Sequence, residues 1–321
     1  MKTAKKPLII ITGPTAAGKT GLSIKVAQQF GGEIISADSR QVYCGLNIGT
    51  GKITDTEMAG IPHHCIDIQE PQSQQGSMSA VAWSQYARTA ITTIESHSTI
   101  PIVCGGTGFY IDTLLCRTSM HNVPPTPLSF IQEQEKRTPN EILHDIHNLN
   151  PERASNLDPH NIRRLIRALF VEQTLSKVKP EHTNQQQVRG YQIDPQDYNI
   201  IWIGVCPPLT QLRSLISERL IQRYNNGMLA ETQQLLDSQK LTPERCKELG
   251  LEYAYMAQII TEKAQGTPRE KELLTELETK IWQYAKRQLT WHKKNTDIVW
   301  FDPKNTRQIL NHIKSKLGAR N

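Results

Sequence analysis

The eight residues Gly13-Pro14-Thr15-Ala16-Ala17-Gly18-Lys19-Thr20 constrain the fold of this chain more than any other segment. They follow the apolar run Leu8-Ile9-Ile10-Ile11 and precede a stretch of helical character from Thr20 to Phe30. Strand, glycine-rich loop and helix in that order make a phosphate-binding P-loop. Gly13 and Gly18 let the backbone curl until successive N–H groups face phosphate oxygens. A helix beginning near Lys19 adds the positive end of its dipole. Lys19 brings a mobile positive charge, and the Thr20 hydroxyl offers an oxygen to a magnesium ion. All eight residues are therefore candidate ligands of a diphosphate or nucleotide.

Two further strand ends bring polar groups to the same rim. Glu33-Ile34-Ile35-Ser36-Ala37 reads as a short buried strand running into Asp38-Ser39-Arg40-Gln41-Val42-Tyr43. In parallel α/β sheets, ligands sit at the carboxyl ends of the strands, so Asp38 belongs beside the P-loop. The alternative is that Asp38 merely caps the structure after it, as aspartate often does. Ile100-Pro101-Ile102-Val103-Cys104 is a third strand, and it ends in Gly105-Gly106-Thr107-Gly108-Phe109-Tyr110. The later runs Ile200–Val205 and Ile298–Phe301 end at Cys206 and Asp302.

The rest of the chain divides around this core. A proline-rich connection, Val123-Pro124-Pro125-Thr126-Pro127, precedes a segment of helical periodicity from Leu128 to about Lys179. The polar stretch Glu181 to Gln187 reads as a linker. The predicted organisation is a core part at 1–118, a helical insertion at 119–187 and a second core part at 188–321. Residues 208–237 read as one helix with Leu209, Leu212, Leu215, Ile216, Leu220 and Ile221 inward and Arg219 and Arg223 on one stripe. In the bland account those arginines pair with Glu218 or Glu231.

Charge and cysteine usage bound the setting. Residues 1–118 carry nine Lys/Arg against eight Asp/Glu, which leaves 28 against 23 for the remainder. The excess is modest, but it clusters: Arg163, Arg164 and Arg167 in one helical segment, Lys286-Arg287 and Lys293-Lys294 in another. Such runs are either a solvated helix face or a nucleic-acid grip. The six cysteines form no C-x-x-C pair and no zinc spacing. No apolar run is long enough to span a bilayer, and the short run after the basic start leads straight into the P-loop. The cytoplasm is the expected location.

Taken in order, these segments resemble the tRNA dimethylallyltransferases, also called tRNA isopentenyltransferases. The resemblance rests on Gly13 to Thr20, Asp38 to Tyr43, Asn47-Ile48-Gly49-Thr50-Gly51-Lys52, Pro62-His63-His64 and Gly105 to Tyr110. It continues through Arg163 to Leu169, Arg219 with Arg223, and Ala285-Lys286-Arg287-Gln288-Leu289-Thr290-Trp291. It implies a P-loop-type parallel sheet core with an inserted all-helical tRNA-binding domain. It also implies transfer of a dimethylallyl group from dimethylallyl diphosphate to N6 of the adenosine 3′ to the anticodon. Asp38, Thr20, Lys19 and Arg223 become the expected catalytic residues, and magnesium on Thr20 the expected cofactor. Asp38, Ser39, Arg40, Gln41, Thr107, Arg163, Arg164, Leu165, Ile166 and Arg167 become the expected tRNA contacts. A monomer and the anticodon stem-loop complete the expected partnership. A P-loop kinase would instead show an acidic metal ligand on a later strand and lid arginines. Only Asp302 offers such a carboxylate. Kinase activity, or prenylation of free adenine nucleotides, is the alternative reading. The chain departs from the family pattern at Pro127-Leu128-Ser129-Phe130, which has no arginine, at Leu249 to Tyr253, and at Ile281-Trp282-Gln283.

Overall fold

The computed structural model describes residues 5–72, 77–118, 123–124, 126–177 and 192–318. The central strand, β1 (Lys6–Thr12), carries Leu8, Ile9, Ile10 and Ile11, all fully buried. An unbroken apolar run suits a strand covered on both faces, which is how parallel sheets are packed. The other strands are β2 (Gly32–Ser36), β3 (His63–His64), β4 (Ile100–Gly105), β5 (Tyr198–Val205) and β6 (Val299–Phe301). They form one six-stranded sheet in the order β3-β2-β4-β1-β5-β6, and every pairing is parallel. The fold is thus the expected α/β sheet with flanking helices. Strand β3 has no apolar run of its own to announce it; its two histidines pair at the edge with Ile34 and Ile35.

Helix α1 (Lys19–Phe30) follows the P-loop and buries Leu22 and Val26 against Ile9, Ile11, Ile102 and the C-terminal helix residues Ile309 and Ile313. Helix α2 (Asp55–Met58) is a single turn closed by a capping box between Thr54 and Glu57. Helix α3 (Ala80–Ser96) buries Trp83, whose indole donates to the Ser36 carbonyl at 3.0 Å and stacks on Tyr110. Tyr110 belongs to α4 (Gly108–Leu114).

The chain divides into two compact units, residues 1–117 with 192–321 and residues 118–191. The second unit contains α5 (Leu128–Gln134), α6 (Pro139–Leu149), α7 (Pro151–Ser155) and α8 (Ile162–Ser176). Its own core joins Ile142, Ile146, Leu165 and Leu169, all fully buried. Each such side chain contributes about 1.5–3 kcal/mol relative to exposure. Glu172 ties α8 to α7 through Arg153 and Asn150. Pro125 and the linker expected at 181–187 lie outside the described residues.

In the first unit the expected single helix over 208–237 is broken. Helix α9 (Leu209–Arg223) gives way to a kink within Tyr224–Met228, where Gly227 is left-handed (φ 99°), before α10 (Leu229–Asp237). Leu212, Ile216 and Leu220 face the core as expected, but Leu209 and Ile221 are half exposed. A left-handed glycine interrupts the helical phase, so no single stripe runs through 208–237. Helices α11 (Pro243–Leu249), α12 (Leu251–Thr261) and the long α13 (Pro268–His292) follow, and α14 (Thr306–Gly318) comes after β6.

Candidate active site

The carboxyl ends of four adjacent strands converge with almost no space between them. A Cβ on Gly13 would lie 2.1 Å from the Val205 carbonyl oxygen at the end of β5. A Cβ on Gly105 would lie 2.1 Å from the Ala37 carbonyl oxygen just past β2. Glycine at these two positions is a steric requirement, and it brings the P-loop, the Asp38 turn and the 105–108 turn to one rim.

Within the P-loop, Gly18 (φ 80°) turns the chain into α1, and no side chain caps that helix. The first-turn amides, with the helix dipole behind them, therefore face the loop concavity. Lys19 Nζ donates to the Pro14 carbonyl at 2.7 Å. Burial pulls the Lys19 ammonium down to about 8, opposed by Cys104 and Asp38 and reinforced by Arg219. Lysine, aspartate and arginine thus share one field although they come from three different segments.

A residue that sequence reasoning recorded only as part of a motif fastens this loop. The buried Gln288 accepts from the Thr15 amide at 2.8 Å and donates to the Gly106 carbonyl at 3.0 Å. One turn further along α13, the His292 ring meets the Thr12 hydroxyl at 2.8 Å. Burial, then the nearby Lys19 charge, hold His292 down at about 4, so it is a neutral packing partner.

Asp38 unites the two readings that sequence reasoning held apart. Its Oδ1 accepts from the amides of Arg40 at 2.8 Å and Gln41 at 3.3 Å, which makes it a turn cap. Among the described residues its Oδ2 accepts no hydrogen bond and is free for a ligand. The Ser39 amide donates to Thr107 Oγ1 at 3.1 Å, tying the Asp38 turn to the 105–108 turn. Tyr284 also bonds Thr107; burial, then the charge of Asp38, push this phenol up to about 12. Gln41 spends its amide on Gly51 and Ser36. Of the turn residues, Asp38, the Ser39 hydroxyl and Arg40 are left to address a substrate.

The two arginines of α9 divide neither as the bland pairing with Glu218 or Glu231 has it nor with Arg223 as the free diphosphate ligand that the resemblance implies. Arg223 donates to the Gly49 carbonyl at 2.9 Å and pairs with Glu252 at 3.0 Å, both partners mostly buried. The Arg219 guanidinium makes no hydrogen bond or ion pair among the described residues. Its surface is exposed, yet the surrounding protein and then Arg223 draw it below its ordinary range, while Glu252, Glu57 and Asp38 pull the other way. Contact with solvent keeps it charged. Arg219 is therefore the open cation of the pair, and Arg223 is braced.

Glu231 has a different task. Its carboxylate accepts from the amides of Asn47, Ile48 and Gly49 at 3.1, 2.8 and 3.0 Å, and from the Tyr253 hydroxyl at 2.7 Å. This clasp holds the 47–52 loop, whose Gly51 lies against Arg219 and Arg223. Glu231→Ala is expected to lower unfolding free energy by about 3 kcal/mol, since three amides lose a charged acceptor. A denaturant midpoint unchanged from wild type would show that water replaces the clasp.

In the helical unit, Arg163 and Arg164 are exposed on α8. Arg167, placed by spacing on the face of Arg163, instead donates to the carbonyls of Val123 and Pro124 and to Thr126. Leu165 and Ile166 are core residues, 0% and 2% exposed. The side-chain contacts with RNA expected at 165–167 are thus corrected: the apolar core takes Leu165 and Ile166, and the incoming chain takes Arg167.

No group of three or more His, Cys, Asp or Glu side chains among the described residues has metal-binding geometry. His64 bonds Glu33 at 2.8 Å instead. Thr20 sits exposed in the first turn of α1. One hydroxyl beside a phosphate cradle fits magnesium, which keeps most of its waters and takes the rest of its ligands from substrate oxygens.

A family model described as IPP transferase matches residues 41–295. A tRNA dimethylallyltransferase of Bacillus subtilis is 33% identical, covering 99% of each chain, and that of Staphylococcus aureus is 33% identical over 99% of this chain and all of its own. The solved tRNA isopentenylpyrophosphate transferase of Bacillus halodurans superposes with a TM-score of 0.69 at 30% identity, covering 98% of each chain. A eukaryotic dimethylallyltransferase solved acting on tRNA gives 0.72 at 25% identity, over 92% of this chain and 74% of its own.

Proposed function

This chain belongs to the IPP transferase family, and from that membership and the site we infer that it transfers a dimethylallyl group to tRNA. We propose dimethylallyl diphosphate as donor and N6 of the adenosine 3′ to the anticodon as acceptor. The observation that carries this reading is Asp38 at the rim where the P-loop, its own turn and the 105–108 turn meet, with one carboxylate oxygen unbonded among the described residues and its charge felt at Lys19.

The reaction is a displacement at the allylic primary carbon. The C–O bond to diphosphate breaks as the C–N bond to the exocyclic amine forms. The P-loop amides, Lys19 and Arg219 bind the oxygens on which negative charge grows. Arg223 holds the neighbouring 47–52 loop in register and backs the same charge at longer range. Thr20 and the diphosphate oxygens would hold magnesium, which when bound screens that charge. The adenine amine is a poor nucleophile because its lone pair is delocalised into the ring. Asp38 Oδ2 accepts a hydrogen bond from it and takes its proton as the new bond forms. The amine must leave the stacked loop to reach the rim, so the base is flipped outward.

Incubation with magnesium, dimethylallyl diphosphate and unmodified tRNA should yield N6-dimethylallyladenosine by mass after digestion. Product on free adenine nucleotides alone, or phosphoryl transfer from ATP, would overturn the tRNA assignment. We propose that the enzyme acts as a cytoplasmic monomer; no helix among the described residues is long and apolar enough to cross a membrane.

Arg163 and Arg164, neighbours on α8, are exposed cations of the helical unit that RNA phosphates can reach. Arg163→Gln and Arg164→Gln should each lower the slope of log affinity against log salt by about 0.7–0.9. Substrate tRNAs should weaken by a similar factor, because phosphate contacts carry no sequence information. A double variant with the wild-type slope would assign both arginines to a solvated face.

A further inference from the structure

One surface of the first unit has no part in the chemistry above. The outward stripe of α13 and the first residues after it present Gln283, Lys286, Arg287, Thr290, Trp291 and Lys294 around an open cavity of about 570 Å³. No carboxylate lines it. Trp291 is 39% exposed and Phe109 40%, and their rings meet edge to face at 6.0 Å. The indole N–H donates to Asp112 at 2.8 Å, which fixes the ring plane, and Asp112 is itself paired with Arg117. The Lys294 ammonium lies 5.8 Å from the Trp291 ring centre and that of Lys286 5.7 Å from Trp282. Cation–π contacts this exposed are weak, and a phosphate displaces them readily.

We propose that this cavity is a second nucleotide subsite, which stacks an unpaired base of the substrate RNA adjacent to the one presented to Asp38. The inference rests on the tRNA reading above. Rigid exposed aromatics interleaved with unopposed cations form the surface that single-stranded nucleic acid uses, bases on the rings and phosphates on the charges. The patch is continuous with the active site. Phe109 stands two residues after Thr107, in the turn that Ser39 grips. Trp291 is three residues from Gln288, which bonds the P-loop. A base held there fixes the loop backbone on one side of the flipped nucleotide.

The test uses the full chain and an unmodified anticodon stem-loop RNA, followed by fluorescence anisotropy at several salt concentrations. Trp291→Ala and Phe109→Ala should weaken binding by about tenfold, within the range expected for one lost stack. In a set of RNAs made abasic one loop position at a time, the Trp291→Ala effect should vanish for a single position next to the target adenosine. Arg287→Gln and Lys294→Gln should instead lower the salt slope by about 0.7 each, whichever position is abasic. Trp291→Phe, which keeps a ring but loses the bond to Asp112, should retain most of the affinity. Wild-type binding by Trp291→Ala, or an equal loss for every abasic RNA, would overturn the proposal. So would an effect confined to self-association in light scattering, which would make the patch a contact between copies of this chain. A wild-type enzyme that shows the abasic coupling yet transfers no dimethylallyl group would leave the subsite standing and remove the donor assignment.

Discussion

Asp38→Asn is expected to slow single-turnover transfer by about 10²-fold or more at saturating substrates, with tRNA affinity changed much less. Asparagine is the informative replacement because Asp38 has two tasks. Its Oδ1 accepts from the amides of Arg40 and Gln41, and an asparagine carbonyl oxygen preserves both bonds. What asparagine lacks is a carboxylate that can take a proton from N6. Asp38→Ala loses the turn as well, so it should be at least as slow and also less stable, by about 1 kcal/mol for a lost cap. A difference between the two variants in thermal stability, without a difference in rate, would separate the structural task from the chemical one. Rapid-quench measurement of the asparagine variant decides the matter: near-wild-type turnover would remove Asp38 as the base and leave it a turn cap.

The parts of this site legible in the sequence are those whose meaning is local. A P-loop is read from neighbours along the chain, because its glycines, lysine and threonine act through backbone geometry that their own spacing sets. The same holds for Asp38 and Thr107, which end buried strands and so must reach the same rim. Partners of long side chains are not local. Nothing in the spacing of α9 shows that Arg223 is braced by Glu252 while Arg219 stays open, since the deciding residue comes from α12. Glu231 looked like a surface partner for those arginines, and only the fold brings the amides of 47–49 to its carboxylate. Helical spacing put Arg163 and Arg167 together, yet the incoming chain at Val123–Thr126 claims Arg167 alone. The kink after Arg223 is hidden because Tyr224-Asn225-Asn226-Gly227 does not interrupt the apolar period, and a single glycine in a helix is an ordinary cost. Gln288 had one signal, its place in a motif between two basic residues and a tryptophan, but the motif could not say that the amide points inward to the P-loop.

The largest effect on the leaving-group side is expected at Lys19. Lys19→Ala should lower the rate of transfer by about 10²–10³-fold, the usual loss for one preorganised group facing developing charge. A pH signature distinguishes this from general damage to the loop. In the free protein, burial holds the ammonium down at about 8. Bound diphosphate places negative charge beside it and favours the protonated form, so the value in the complex is higher. Below about pH 8 the ammonium is already formed, and affinity for dimethylallyl diphosphate should be flat. As pH rises through 8, binding must take up a proton, and affinity should fall by as much as tenfold per pH unit until the value of the complex is reached. His292, held at about 4, stays neutral throughout this window, and Tyr284, pushed up to about 12, stays protonated. Neither can produce the fall. Calorimetry in buffers of different ionisation enthalpy should therefore report close to one proton taken up at pH 9 by the wild type and none by Lys19→Ala. If the alanine variant keeps the same pH dependence and the same proton uptake, the ammonium is not the group that meets the diphosphate. Arg219, another open cation of the cleft, is a guanidinium that keeps its charge in contact with solvent, and it would then carry the contact.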